Sequence, residues 1–323
     1  MMTIICLSAM DIIGNMEINM DYLIETNELT KNYRGKAAVD KVSLHVKKGE
    51  IYGLIGKNGA GKTTCMKMLA GLVRPDGGEI IKHPGKNGAL KTGCLIENPG
   101  LYYDMTAYEN LKCKCLLEGS YSKDYADSLL EFVDLENVGK KKAGQFSLGM
   151  KQRLGIAMAL AGDPEFLILD EPINGLDPQG ILQMRNLFTK LRDEKKVTIM
   201  ISSHILSELD KVADTVGIIN NGQLIKEVDE ASLRLGACIE IITADAEKAA
   251  EALRKAFDNE IKIEDGRTIQ VFGAETDDEI IAINKCVAES AGLIGSKRTG
   301  SDLESVYIEI VDENGGQTDD RVN

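Results

Sequence analysis

From Tyr22 to about Val228, short apolar runs alternate with segments of helical periodicity, a pattern that predicts an α/β domain built on a mainly parallel sheet. Strands are expected at 42–46, 51–55, 94–96, 166–170, 198–202 and 216–220. Several are apolar at every position, which suits burial on both faces of a sheet. Between about Leu101 and Gly162 the period becomes helical. There Thr106 with Glu109 is a capping-box pattern opening a helix at 107–117, and apolar residues recur at helical spacing over 124–135. This stretch reads as a helical subdomain inserted into the sheet domain.

After Val228 the order changes to strand (239–243), helix (246–257), strands (261–263 and 269–272) and helix (278–291), the pattern of a small α+β unit. The expected organisation is therefore an extension at 1–21, an α/β domain at 22–230, a second domain at 231–311 and an acidic tail at 312–323 read as disordered. The first twenty residues lack the basic region and cleavage site of a signal peptide and read as an upstream extension, with Met16 or Met20 as the start.

Composition narrows the partners. The 323-residue chain carries 51 acidic against 38 basic residues, a net charge of -13, which opposes the counterion-release attachment that draws proteins to nucleic acid. No nucleic-acid ligand is expected. No apolar run approaches the roughly 20 residues needed to cross a bilayer. Seven cysteines, an odd number, fit reduced thiols; Cys113 and Cys115 admit a metal-site reading, with buried or helical cysteines the more ordinary one.

The chemistry starts at Gly56-Lys57-Asn58-Gly59-Ala60-Gly61-Lys62-Thr63-Thr64, a P-loop directly after the apolar strand 51–55 and opening a helix. Glycines let backbone N–H groups close around phosphate oxygens, the helix N-terminus adds positive potential, Lys62 reaches the β and γ phosphates, and the Thr63 hydroxyl can bind Mg2+. The metal then needs a carboxylate. In Phe166-Leu167-Ile168-Leu169-Asp170-Glu171 a buried strand ends on Asp170, placed to orient Mg2+, and Glu171 follows as candidate general base for an attacking water.

Phe146-Ser147-Leu148-Gly149-Met150-Lys151-Gln152-Arg153, just before that strand, resembles the signature loop of ATP-binding-cassette (ABC) proteins. Gly175-Leu176-Asp177 resembles the D-loop of the same family, and His204, after the strand 198–202, resembles its switch histidine. The ordinary readings of Asp177-Pro178 as an N-cap followed by Pro, and of His204 as structural, stand beside these. The resemblance covers Tyr22 to about Val228.

It implies a P-loop NTPase of ABC type with ATP and Mg2+ as cofactors. Two cassettes would pair head to tail, a homodimer or one copy with a similar subunit, each ATP held between one P-loop and the other chain's Ser147 and Gly149. It further implies a separate transmembrane permease, a peripheral position on the inner face of the cell membrane, and Tyr33 stacking on adenine. The expected site thus comprises Glu171, His204 and Lys62 as catalytic residues. Thr63, Asp170 and Glu97 are expected around the metal. Nucleotide contacts are expected from Tyr33, Gly56, Asn58, Gly59, Ala60, Gly61, Lys62, Thr63, Thr64, Ser147, Gly149 and Asp177.

Two departures from the family stand out, one in the signature and one at position 97. Leu148 and Met150 replace the usual Gly and Gln of the signature, while Ser147 and Gly149 keep its phosphate-contacting features. Glu97 stands where most relatives carry Gln, and a carboxylate there must bind the metal, bind water or be held away until closure. This change resembles the group of ABC proteins that expel bacitracin and lantibiotic-like peptides for self-protection. The expected function is hydrolysis of ATP to drive an exporter. The alternative, a non-transport ABC ATPase acting in repair or translation, is opposed by the acidic balance and by the 85 positions from Lys62 to Ser147, which leave no room for a long coiled coil. No catalytic set is visible after Val228, where a packing or dimer-contact module is expected.

Overall fold

The computed structural model describes residues 22–83, 88–229, 238–274 and 276–299, with side chains as far as Lys297. The expected extension 1–21 and tail 312–323 lie outside the described residues. The chain opens with β1 (Tyr22–Tyr33), which pairs antiparallel with β2 (Lys36–Val42) and β3 (His45–Lys47). The strand expected at 42–46 is therefore not continuous. Tyr33↔Lys36, Leu29↔Val42, Glu25↔His45 and Tyr22↔Lys47 put β2 and β3 along one edge of β1, and between them residues 26–28 of β1 stand opposite residues 43–44, a bulge in β1. The Thr26 hydroxyl sits at this bulge, donating to Val42 O and accepting from Leu44 N, both at 2.9 Å, so those two groups stay paired where the ladder is interrupted.

Next come β4 (Ile51–Ile55), α1 (Lys62–Leu69), β5 (Gly77–Lys82) and β6 (Thr92–Leu95). Three helices follow, α2 (Ala107–Leu117), α3 (Lys123–Phe132) and α4 (Leu148–Ala159). Then β7 (Phe166–Leu169), α5 (Pro178–Lys195), β8 (Thr198–Ser203), α6 (Leu206–Leu209), β9 (Thr215–Asn220) and β10 (Gln223–Asp229) complete this part of the chain. The main sheet has the order β10-β9-β4-β8-β7-β6, parallel except for the β9–β10 hairpin. Its apolar runs pack on two sides. Ile51, Ile55, Leu167, Leu169, Ile199 and Ile201 join a core shared with the three helices, and Tyr52, Leu54, Phe166, Ile168 and Met200 join one shared with β1 and α1. Each such fully buried side chain contributes about 1.5–3 kcal/mol, which is why these strands read as unbroken apolar runs.

α2 has the bounds its capping box predicts: Thr106 Oγ1 accepts from Glu109 N, and Glu109 Oε2 accepts from Thr106 N. α3 ends at Phe132, short of the expected 135. Asp134 turns to φ 55 and Leu135 N donates to Leu130 O at 2.8 Å, a Schellman-type ending that still buries Leu135. β1, β5 and β10 were not expected, because their burial is mixed along the strand and carries no apolar run.

Residues 238–299 form β11 (Cys238–Thr243), α7 (Ala246–Ala256), β12 (Ile261–Ile263), β13 (Thr268–Phe272), α8 (Asp277–Ser290) and β14 (Leu293–Thr299). The sheet order β12-β13-β11-β14, antiparallel throughout, is that of a split βαβ unit. Ile239, Ile241, Ile269 and Val271 pack against Ala249, Leu253, Ile283 and Val287 in a core of its own. No helix among the described residues is long and apolar enough to cross a membrane.

Candidate functional site

The buried strand β4 delivers the chain into the loop 56–61, and α1 begins at Lys62. Two glycines here have no room for a side chain. A Cβ on Gly56 would stand 2.3 Å from Ile219 O, and one on Gly61, at φ 108, 2.4 Å from Ala38 O. The loop is thereby pressed against β9 and β2, and Lys57, Asn58 and Gly59 are left exposed, with Ala60 buried beneath them and Thr64 half-buried in the first turn of α1. Lys62 is only 5% exposed, and its ammonium needs acceptors: Gly56 O at 2.6 Å, Lys57 O at 3.4 Å and Glu171 Oε1 at 3.3 Å.

The carboxylates arrive on β7. Register pairs Leu169 with Ile201, so Asp170 emerges beside Ser202 of β8. Thr63 Oγ1 donates to Asp170 Oδ2 at 2.8 Å and Ser202 Oγ donates to Asp170 Oδ1 at 2.6 Å. Glu171 takes φ 50. Its N–H donates to Ser202 Oγ at 2.8 Å, and its carboxylate spans from Lys62 to His204, whose Nδ1 is 2.7 Å from Oε2. An ionised carboxylate only accepts, so that nitrogen carries the proton. The structure thus brings Lys62, Thr63, Asp170, Glu171 and His204 into one site, from the ends of β4, β7 and β8.

The other expected residues lie elsewhere or wait at the margin. Glu97, at φ 65 after β6, directs its carboxylate to Lys67 Nζ of α1 at 2.6 Å instead of toward Thr63 and Asp170. Tyr33 is 47% exposed with Lys31 Nζ 5.6 Å from its ring centroid, an open aromatic face beside the sheet edge. Ser147 caps α4, accepting from Met150 N at 3.3 Å, and with Gly149, Gly175, Leu176 and Asp177 it lines a separate cleft of about 290 Å³ that contains no P-loop residue. Asp177 Oδ1 accepts from Gly180 N at 2.8 Å with Pro178 at N1, so the N-cap reading holds. A further groove of about 450 Å³ runs along β6 between Pro99, Lys114, Glu118 and the end of α4.

Two contributors were missed from sequence. Ser202, fully buried, touches both acids; its only signal is a polar residue ending an apolar strand two places before His204. Lys67 reads as an ordinary helix lysine. Cys113 and Cys115 both fall on α2, where two positions correspond to about 200° around the axis, so they face different sides. Burial pushes the Cys115 thiol up, as it does that of Cys65 on the inner side of α1, raised to about 12.

The donor set at Thr63 and Asp170 is all oxygen, one hydroxyl and one carboxylate, which fits a hard divalent cation that keeps several waters and shares phosphate oxygens. A model of the ABC transporter family matches residues 39–174. Over 304 residues the chain is 41% identical to the uncharacterized ABC transporter ATP-binding protein YcbN of Bacillus subtilis (strain 168), covering 91% of this chain and 99% of that protein. The chain belongs to the ABC transporter ATP-binding protein family. This ABC protein is also 43% identical over 262 residues to the bacitracin transport ATP-binding protein BcrA of Enterococcus faecalis, covering 78% of this chain and 85% of that one. Among solved structures it resembles a dimeric ATP-binding cassette in a post-hydrolysis state bound to ADP and Pi, with TM-score 0.57, 25% identity, and coverage of 64% of this chain and 98% of that one. It is an ATP-binding, ATP-hydrolysing subunit of a transporter.

Proposed function

We propose that this subunit drives an exporter of antimicrobial peptides of the bacitracin kind, acting as one of a head-to-tail pair of cassettes on a separately encoded permease at the inner face of the cell membrane. Residues 22–230 would form the nucleotide-binding domain and 231–311 an accessory one. The observation that carries the chemistry is the single cluster in which Lys62, Thr63, Asp170, Glu171 and His204 meet at hydrogen-bond or ion-pair distance.

In this reading the P-loop amides and Lys62 grip the triphosphate, displacing Glu171 from the ammonium. Thr63 and Asp170 would hold Mg2+, which when bound neutralises charge on the β and γ phosphates. Glu171 takes a proton from the water that attacks the γ-phosphate, and His204 holds that carboxylate in place. The cleft around Ser147 is lined by no residue of this chain's own P-loop, which supports completion of each site by a second cassette. The groove along β6, beside the loop that carries Glu97, is the surface offered to the permease. Likeness to BcrA and the acid at position 97 both favour peptide export.

Affinity purification of the tagged chain from membranes tests this reading. A multi-span protein is expected to co-purify, and magnesium-dependent ATP hydrolysis with it. Recovery of only soluble or nucleic-acid partners would favour the non-transport alternative.

A further inference from the structure

We propose that Ser202 is the positioning residue of the hydrolytic site, one buried hydroxyl that sets both the orientation of the Asp170 carboxylate and the backbone conformation presenting Glu171. The inference rests on the roles proposed above for those two acids. A serine hydroxyl has a single proton to give and two lone pairs to offer. Here the proton goes to Asp170 Oδ1 at 2.6 Å and a lone pair takes the Glu171 N–H at 2.8 Å. Ser202 is fully buried and Asp170 is 4% exposed, so water does not readily replace either bond.

The consequences for the two acids differ. Asp170 has donors on both oxygens, Ser202 on Oδ1 and Thr63 on Oδ2, so rotation of the carboxylate about its own axis is blocked and the same oxygen always faces Thr63. Glu171 sits at φ 50, a left-handed conformation that strains any residue with a Cβ. Its N–H is anchored on Ser202 and its carbonyl accepts from Asn174 N at 3.1 Å, and these bonds keep the strained residue in place. His204 follows the end of β8, two places beyond Ser202, where Ser203 braces the turn by accepting from Ile205 N at 2.9 Å. A single strand end therefore orients the metal-side acid, the base and the histidine beside the base. Residues that orient a metal ligand commonly govern 10- to 100-fold in affinity or rate.

The test compares the full-length chain with Ser202→Ala, Ser202→Thr and, as a control for loss of a buried hydroxyl elsewhere on β8, Thr198→Val. Three quantities are read: kcat and KM for ATP, the magnesium concentration giving half-maximal hydrolysis, and the further rise in Tm when magnesium is added to ATP-loaded protein over ATP with chelator. Ser202→Ala is expected to lower kcat and raise the magnesium requirement, each roughly 10- to 100-fold, and to lose the magnesium-dependent rise in Tm. Binding of a fluorescent ATP analogue without metal should stay within about twofold. Ser202→Thr, which keeps the hydroxyl, should lie closer to the natural protein, and Thr198→Val should leave the magnesium requirement unchanged. If Ser202→Ala fails to fold, Ser202→Cys, with a weakly donating thiol, is read against the same expectations. A folded variant with unaltered kcat and magnesium requirement would overturn the inference alone. A natural protein without magnesium-dependent hydrolysis would overturn the reading of the site and this inference with it.

Discussion

Lys62 Nζ lies 3.3 Å from Glu171 Oε1, with the two side chains 6% and 21% exposed. The cation proposed to bind phosphate and the proposed base therefore neutralise one another across the site. In the proposed mechanism an arriving triphosphate would compete with Glu171 for Lys62 and release the carboxylate toward water. Glu171→Gln should lower the hydrolysis rate by roughly 10² to 10⁴ while leaving ATP binding intact or tighter, because the neutral amide no longer competes for the ammonium. Phosphate release and equilibrium nucleotide binding measure the two effects, and hydrolysis at the natural rate would move the base to another residue.

Glu97 is held 2.6 Å from Lys67 on the helix that also carries Lys62 and Thr63. With Glu97 63% exposed, the pair is worth less than about 1 kcal/mol and is readily exchanged for a divalent cation. Lys67→Met should lower the magnesium requirement by freeing the acid, and should have no such effect in a Glu97→Gln background. Glu97→Gln should also change the ATP hydrolysed per peptide exported. Additive effects of the two substitutions on magnesium dependence would show that the pair is not coupled.

Glu50, 7% exposed at the start of β4, accepts from Lys47 N at 2.6 Å and from Thr215 Oγ1 at 2.8 Å, yet burial holds its carboxyl above the usual range. The folded protein thus keeps this proton to higher pH than the unfolded chain does. Stability from this group is greatest below the unfolded pKa and is lost as pH rises through the folded one. Glu50→Gln keeps an acceptor for Lys47 N and cannot ionise. Its Tm relative to the natural protein should therefore increase between about pH 4 and about pH 7; a flat or falling difference in paired thermal melts would contradict this.

Thr106→Ala should cost about 1 kcal/mol in urea unfolding, because it removes the acceptor for Glu109 N and one half of the capping box. Lys114 of α2 and Glu118 at its C-cap line the groove along β6, so the same variant should weaken co-purification of the proposed permease beyond its effect on basal hydrolysis. Equal losses in both assays would remove the groove from the coupling route.

Much of the architecture is legible because its causes are local. Phe166, Leu167, Ile168 and Leu169 are buried on both sides of the sheet and so form an unbroken apolar run, and Thr106 and Glu109 announce the start of α2 three residues apart. β5 announces nothing, since it is mixed in burial and pairs with β1, distant in the chain; β1 is mixed in burial too, and only its hairpin with β2 at Tyr33 and Lys36 is local. The strand expected at 42–46 breaks at 43–44 because β1 bulges opposite it, and Thr26, on β1, completes the hydrogen bonds of Val42 O and Leu44 N there.

By itself the sequence determined the chemical inventory of this protein: a glycine loop ending in Lys62 and Thr63, two adjacent acids at the end of a buried strand, a histidine after another, and an acid at position 97. These are contiguous patterns, and their meaning lies in residue type and spacing. Only the tertiary structure decided how they are wired, because the β7–β8 register sets Ser202 against both acids, and close packing of α1 beside the β6 loop gives Glu97 to Lys67. Such contacts depend on which oxygen of a carboxylate faces which donor, and that is settled by the packing of strands more than thirty residues apart, as Asp170 and Ser202 are.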